Sequence, residues 1–240
     1  MTALSLIQDA CGELGLAQPS GSLYSSTDPL VQQLASLANR EGKDLARRKN
    51  WAALTRQASF TTVAQELQTS FIPSDLDRFV TDSMWNTSTV RKVFGPMTPQ
   101  EYERYQAYPI FTSVNPAAII FNNGSGQQFY LQPAPAAGQT IQYFYVMTTW
   151  AQATGGGALK AAFSADTDVA LIPETLITLG IKWRYKMAKG FDYSQDKQIY
   201  EQQVEQFASR DGGGAPVLNL NYGLGRFTYR PYNVPEGSWP

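Results

Sequence analysis

The spacing of apolar and polar positions divides the chain into a helical beginning, a strand-rich middle and a helical end. The clearest helical pattern runs from Ala165 to Arg210 and predicts a hairpin of two helices. Leu176, Leu179, Trp183 and Met187 recur at intervals of three and four, with Ile177, Ile181, Tyr185 and Ala188 as a second stripe beside them. A helix apolar over so much of its girth is normally covered from more than one side. Pro173 falls at the first helical position, and Gly190, following Lys186 and Lys189, offers a left-handed stop. Gly180 costs the middle of this helix about 1 kcal/mol against alanine, which a closely packed neighbouring backbone would compensate. Asp192 and Gln195 have capping-box spacing for the second helix, whose Tyr193, Tyr200, Val204 and Phe207 share a face.

At the N-terminal end, Leu4, Ile7, Cys11 and Leu14 repeat at helical spacing between an N-capping Thr2 and a closing Gly15. Asp28-Pro29 opens a longer helix that reaches about Lys49, with Val31, Leu34, Ala38 and Leu45 turned inward. The character changes after Trp51. Thr55–Ala64, Glu66–Pro73, Thr89–Phe94, Ala117–Asn122 and Gln127–Leu131 carry the alternation and β-branched or aromatic content of strands. Asn122 to Gly126 suits a hairpin connection. The strongest strand is Gln139–Thr149. Ile141, Tyr143, Tyr145 and Met147 face one way and Phe144 and Val146 the other, so both faces are expected to be covered. A short helix interrupts the strands from Thr98 to Ala107, with Thr98 capping and Pro99 first.

These elements predict an α+β fold. Residues 1–54 and 165–210 form a helical bundle, 55–150 an inserted antiparallel β-domain, and 151–164 a flexible glycine-rich linker. Residues 211–240 form an extended tail without periodicity, although it keeps Tyr222, Phe227, Tyr229, Tyr232 and Trp239. Burying five aromatics returns less than ordering some thirty residues costs, so the tail is not expected to fold alone. Two readings stand: it becomes ordered on another surface, adding a strand there, or it packs back on its own domain.

Composition narrows the chemistry. The chain is 43% apolar and 12% aromatic, which supports a folded core, and only 16% charged, which suits a subunit that meets other proteins. Its net charge of −1 sets up no global field for nucleic acid. No apolar run approaches the ~20 residues needed to span a bilayer. Met1 to Gly15 lacks the basic start and cleavage site of a secretory signal, so synthesis in the cytoplasm is the expectation. The single cysteine, Cys11, makes an internal disulfide impossible and lies on an apolar stripe, as a core residue would. There is no histidine, which removes serine–histidine and cysteine–histidine catalysis and histidine-bearing zinc sites.

Carboxylate chemistry is what remains. Asp166 and Asp168 are two apart, as are Asp75 and Asp77; such pairs either supply oxygen ligands to a hard cation or cap the next element. Glu101 and Glu103 sit in the first turn of a short helix, where acids are favoured anyway. No glycine-rich phosphate cradle is present, and no cofactor or metal is expected. Arg47, Arg48 and Lys49 form a basic cluster with two readings. They complement the end of their helix, or they face an acidic partner, a neighbouring subunit or DNA.

Several stretches resemble the head-to-tail adaptor proteins of short-tailed phages and related prophages. They include Ser5-Leu6-Ile7-Gln8-Asp9-Ala10, Leu37-Ala38-Asn39-Arg40-Glu41-Gly42 and Phe94-Gly95-Pro96-Met97-Thr98-Pro99. The most specific runs from Leu179 through Gly180, Trp183 and Arg184 to Gly190. The resemblance covers residues 1 to about 210. It implies a structural virion protein without catalysis, in a ring usually of twelve copies between the portal and the tail nozzle. Genomic DNA would pass along the axis without sequence-specific contacts. By the same resemblance, the C-terminal segment would dock on portal subunits, and Arg47, Arg48 and Lys49 would line the channel or meet a neighbour. Assembly would take place in the host cytoplasm. A different class of function stays open beside it: a tail-associated carbohydrate-binding or carboxylate-based hydrolase module, which would need Asp75, Asp77, Asp166 and Asp168 to converge.

Overall fold

The first helix shows how local and distant groups combine in this fold. In the computed structural model, which describes residues 1–68, 72–107, 116–122 and 127–211, α1 spans Ala3–Leu14. The Thr2 hydroxyl accepts from the Ser5 N–H at 3.2 Å, and the Ser5 hydroxyl accepts from the Thr2 N–H at 2.9 Å. This reciprocal box leaves other first-turn donors free. Ala3 N–H donates to the Asp168 carbonyl at 2.7 Å, and Leu4 N–H to the Asp166 carbonyl at 3.1 Å. Gly15 closes the helix in the left-handed region at φ 67°.

Helix α2, Pro29–Arg48, starts where the Asp28 carboxylate accepts from Leu30 N–H at 2.9 Å. Helix α3 is Pro99–Ala107, and Thr98 and Glu101 cap it reciprocally. Helices α4, Glu174–Lys189, and α5, Ser194–Arg210, complete the bundle. Helix α4 is its centre, packed by α1, α2 and α5, and it buries Leu176, Ile177, Ile181, Trp183 and Tyr185. Its final turn departs from the expected stripes, because Met187 and Ala188 emerge into solvent beyond the reach of those neighbours. Pro173 caps α4 rather than beginning it. Asp192 binds the Ser194 N–H at 3.0 Å, so α5 starts from a local turn and not from a box with Gln195. Cys11 is buried, and burial pushes its thiol up, as a core residue requires.

A single turn at Ala52–Leu54 leads into the strands. Strand β1 is Thr55–Thr61, β2 Leu67–Gln68, β3 Leu76–Phe79, β4 Trp85–Asn86 and β5 Arg91–Lys92. They are followed by β6, Ala117–Asn122, β7, Gln127–Gln132, and β8, Thr140–Met147. Strand β8 is the spine of a five-stranded antiparallel sheet, pairing β1 from Thr55–Val146 to Thr61–Thr140 and meeting β3 and β4 on its other edge. Strands β2, β7 and β6 form a second antiparallel sheet. Phe60 and Phe79 interlock with Phe129 and Tyr143 between the two sheets, with ring centroids 5.2–6.3 Å apart. Only one face of β8 is covered along its length: Val146 is buried on the other, but Phe144 is 41% exposed. The expectation of a strand covered on both faces fails there. The hairpin connection at 123–126 and the tail at 212–240 lie outside the described residues.

The glycine-rich stretch is structured. Ala151–Gln152, Leu159–Lys160 and Val169–Ala170 form β9, β10 and β11 of a third antiparallel sheet, and Gly155 and Gly156, at φ 73° and 78°, turn the chain between the first two. The Phe163 ring packs edge-on against Trp150 at 4.6 Å, and Asn39 of α2 binds both its N–H and its carbonyl, at 2.8 and 3.2 Å. Two-residue strands rest on tertiary contacts rather than on a periodic pattern, which is why this segment reads as a linker in sequence. Among the described residues, no helix is long and apolar enough to cross a membrane.

Candidate functional site

The most concentrated polar chemistry lies inside the bundle. Glu41 of α2 is fully buried, and its carboxylate accepts from Arg184 Nε of α4 at 2.5 Å and from the Tyr200 hydroxyl of α5. Arg184 also donates to Asp44 through Nη2 at 2.7 Å. Burial, reinforced by the Glu41 charge and hydrogen bond, drives the Tyr200 phenol far above its ordinary range, so it stays a neutral donor. Gly180 makes room for this group. A Cβ there would lie 2.2 Å from the Glu41 side-chain carboxyl carbon, so the close neighbour is a side chain and not the backbone the sequence led one to expect. Gly42 does the same for the Trp150 ring, which a Cβ would meet at 2.3 Å. A sealed carboxylate bound by a guanidinium and a phenol has no opening for a substrate. It ties three helices together, α2, α4 and α5.

Of the sequence-level candidates, the basic cluster is divided. Arg48 forks onto Glu201 of α5 at 2.6 and 3.0 Å, over the Tyr200 ring at 5.2 Å. Lys49 donates to the Asp211 carbonyl at 3.1 Å and lies over the Trp51 ring. Arg47 projects into solvent with no partner among the described residues. Two of the three cations therefore hold α5 and the base of the tail against α2. The five tail aromatics lie outside the described residues.

The aspartate pairs do not converge. Asp75 accepts from the Tyr145 hydroxyl at 3.2 Å, and Asp77 pairs with Arg78. Asp166 accepts from Leu23 N–H at 2.9 Å, beside α1. Asp168 is buried, and although burial pushes its carboxyl up, Lys160 at 2.7 Å and the N–H groups of Ser164 and Ala165 outweigh that and hold it below its usual range. Neither Asp166 nor Asp168 caps α4; their carbonyls cap α1 instead. Among the described residues, no group of three or more acidic or cysteine side chains is placed to hold a metal ion. The carboxylate-module reading loses the convergence it needed.

The openings are shallow and on the surface. A cleft of about 560 Å³ is lined by Phe94 to Met97, Glu101 and Arg104, and Gly95 is required in it because a Cβ would meet the Ala118 carbonyl at 2.4 Å. A second, of about 350 Å³, brings Trp85, Val90 and Phe144 together on the outer face of the five-stranded sheet. Val90 holds φ 54°, unusual for a β-branched residue, and is 80% exposed. Met187, Phe191 and Ile199 are exposed around the α4–α5 turn. Apolar surface of this kind suits contact with other protein chains.

The family model described as SU10 adaptor protein matches residues 1–217. The chain belongs to the SU10 adaptor protein family. It is accordingly a structural phage adaptor, in agreement at that level with the resemblance read along residues 1 to about 210. No curated protein matches the chain. The family match takes in every helix and strand described above and stops short of the five tail aromatics. The adaptor's central node was missed in the sequence because Glu41, Gly180 and Arg184 look like an ordinary helix surface. The available signal was that Gly180 and Arg184 share the inward face of Ile177 and Ile181, at spacings of three and four.

Proposed function

We propose that this adaptor joins the portal to the tail nozzle of a short-tailed phage, as a ring usually of twelve copies through which genomic DNA passes. The family match over residues 1–217 carries this reading. The divided surface supports it: a sealed helical bundle gives rigidity, and the exposed apolar groups at Trp85, Val90 and Phe144 and at the α4–α5 turn offer docking area to other subunits. The C-terminal segment is the portal anchor, gripping through Tyr222, Phe227, Tyr229, Tyr232 and Trp239. Copies held in one ring bind at high effective concentration, so each anchor need contribute only modestly. Lys49 holds Asp211, the last described residue before that segment, against the end of α2. The β-domain faces the nozzle.

Portal rings mixed with full-length protein, and with a chain ending at Gly214, test this by capture and sizing. A defined complex with the full chain, lost on truncation, is expected. Equal capture of both would move the portal contact to the bundle, and capture of neither would remove the portal from the reading.

A further inference from the structure

Helix α2 has an outer face of unusual composition. Its inward positions bury Val31, Leu34, Ala38, Glu41 and Leu45. The exposed positions of the same helix are Pro29, Gln32, Ser36, Arg40, Lys43, Arg47 and Arg48. At 100° per residue, the first six fall within a single narrow stripe. Arg40, Lys43 and Arg47 are its last three members, spaced three and four residues apart and so about 10 Å from first to last.

None of these three cations has an ion pair, hydrogen bond or ring contact among the described residues. The carboxylates that border the face are already committed to the fold: Asp44 is held by Arg184, and Glu201 by Arg48. Arg184 is shared between Glu41 and Asp44, so the half-exposed Asp44 offsets part of the charge; the stripe remains positive, three cations to one carboxylate, on a chain whose net charge is −1. It also carries no apolar anchor. The exposed large apolar groups, among them Trp85, Val90, Phe144, Met187, Phe191 and Ile199, all belong to other elements. Protein-docking patches concentrate aromatic and aliphatic groups at their centres, whereas surfaces for nucleic acid are polar and basic. The two chemistries are separated on this molecule.

We propose that the outer face of α2, through Arg40, Lys43 and Arg47, contacts the phosphate backbone of double-stranded DNA without reading its sequence. The choice of DNA as the polyanion rests on the adaptor reading above; the stripe itself does not. It replaces the contiguous Arg47-Arg48-Lys49 cluster with a helical one, since Arg48 and Lys49 are occupied within the fold. Flexible ammonium and guanidinium groups one turn apart can follow a phosphate chain as it slides, and no contact would favour one base over another.

Binding of the full-length protein to a labelled random-sequence duplex of about 30 base pairs, followed by anisotropy across a salt series, tests this. If all three cations neutralise phosphates, affinity falls roughly 40-fold between about 50 and 200 mM salt, a slope of about −2.7. The triple variant Arg40→Gln, Lys43→Gln, Arg47→Gln is expected to lose that slope and at least tenfold in affinity at the low end. A control with the same change in net charge, Arg56→Gln, Lys189→Gln, Lys197→Gln, is expected to stay within about twofold, and scrambling the duplex sequence to change nothing. The proposal is overturned if the wild type does not bind, if both variants weaken it equally, or if the stripe variant loses self-association in sedimentation rather than DNA binding, which would make the face a subunit contact. Portal capture by the stripe variant separates the two ideas. Capture retained while DNA binding is lost supports both. Failed portal capture by the wild type with salt-dependent DNA binding intact would sink the portal reading and leave the stripe standing.

Discussion

Glu41–Arg184 and Arg48–Glu201 both tie α2 to the C-terminal hairpin with a carboxylate and a guanidinium, yet they differ in what surrounds them. The first is sealed under Tyr200 and Gly180, with the Glu41 side chain wholly out of solvent. The second lies at the bundle's edge, with its two side chains 34% and 42% exposed. Water and salt can replace either partner of the outer pair at little cost. They cannot reach the inner one, so breaking it leaves a charge in a low-dielectric interior. The same pair of groups is thus a buried tie among three helices in one place and a weak clip in the other.

The largest effect is expected from Arg184→Met, which strands the Glu41 carboxylate with a phenol as its main partner. A loss of about 3–5 kcal/mol should appear in denaturant unfolding, and co-substitution of Glu41 by Gln should recover part of it. A loss no greater than that of Arg48→Gln would break the contrast. Gly180→Ala comes next. Alanine favours an isolated helix, but here its methyl would overlap the Glu41 side chain at 2.2 Å, so about 1–3 kcal/mol of destabilisation is expected where propensity alone predicts a gain. A raised midpoint would show that Glu41 moves aside freely.

The smallest effect belongs to Arg48→Gln, below about 1 kcal/mol and shrinking further in high salt. Its pH dependence has a definite sign. The Arg48 hydrogen bond holds the Glu201 carboxyl below its ordinary value in the folded protein. The contribution is therefore present above the unfolded pKa of about 4.3 and disappears as pH falls through the lower folded value. Thermal unfolding of wild type and variant should differ near neutrality and converge in acid. A difference that persists in acid would point to lost packing on the Tyr200 ring instead.

The same division between local and remote causes explains what could be read in advance. The Thr2 cap and Gly15 stop of α1, the Asp28-Pro29 start of α2 and the Thr98 cap of α3 rest on groups within a few residues of one another, and each appears where the pattern places it. Strands β6 and β7 form over nearly the residues expected, and β7 alternates buried Phe129 and Leu131 with half-buried neighbours. Strands β3 and β4 were not legible, since four and two residues cannot display a period; β3 is held by pairing with β8, and β4 by pairing with β8 and β5. Of the candidate site, the basic residues were visible, but the free line of Arg40, Lys43 and Arg47 was not. A run of adjacent cations stands out in one dimension, whereas a helical stripe appears only after the partners of Arg48 and Lys49 have been subtracted.

The sequence by itself determined the α+β class, the helical ends around a strand-rich middle, the absence of histidine and disulfide chemistry, and a resemblance strong enough to point to an adaptor. Periodicity, capping and composition are properties of neighbouring residues, so they survive without a fold. Only the tertiary structure decided that Asp166 and Asp168 serve α1, that Gly180 admits Glu41, that the glycine-rich stretch is a sheet, and that Phe144 faces solvent. Each of these depends on atoms brought together from distant parts of the chain, across 143 positions for Arg184 and Glu41. A buried charge, a slot or an open face is defined by what lies across from it, and that is settled only when the helices and sheets pack.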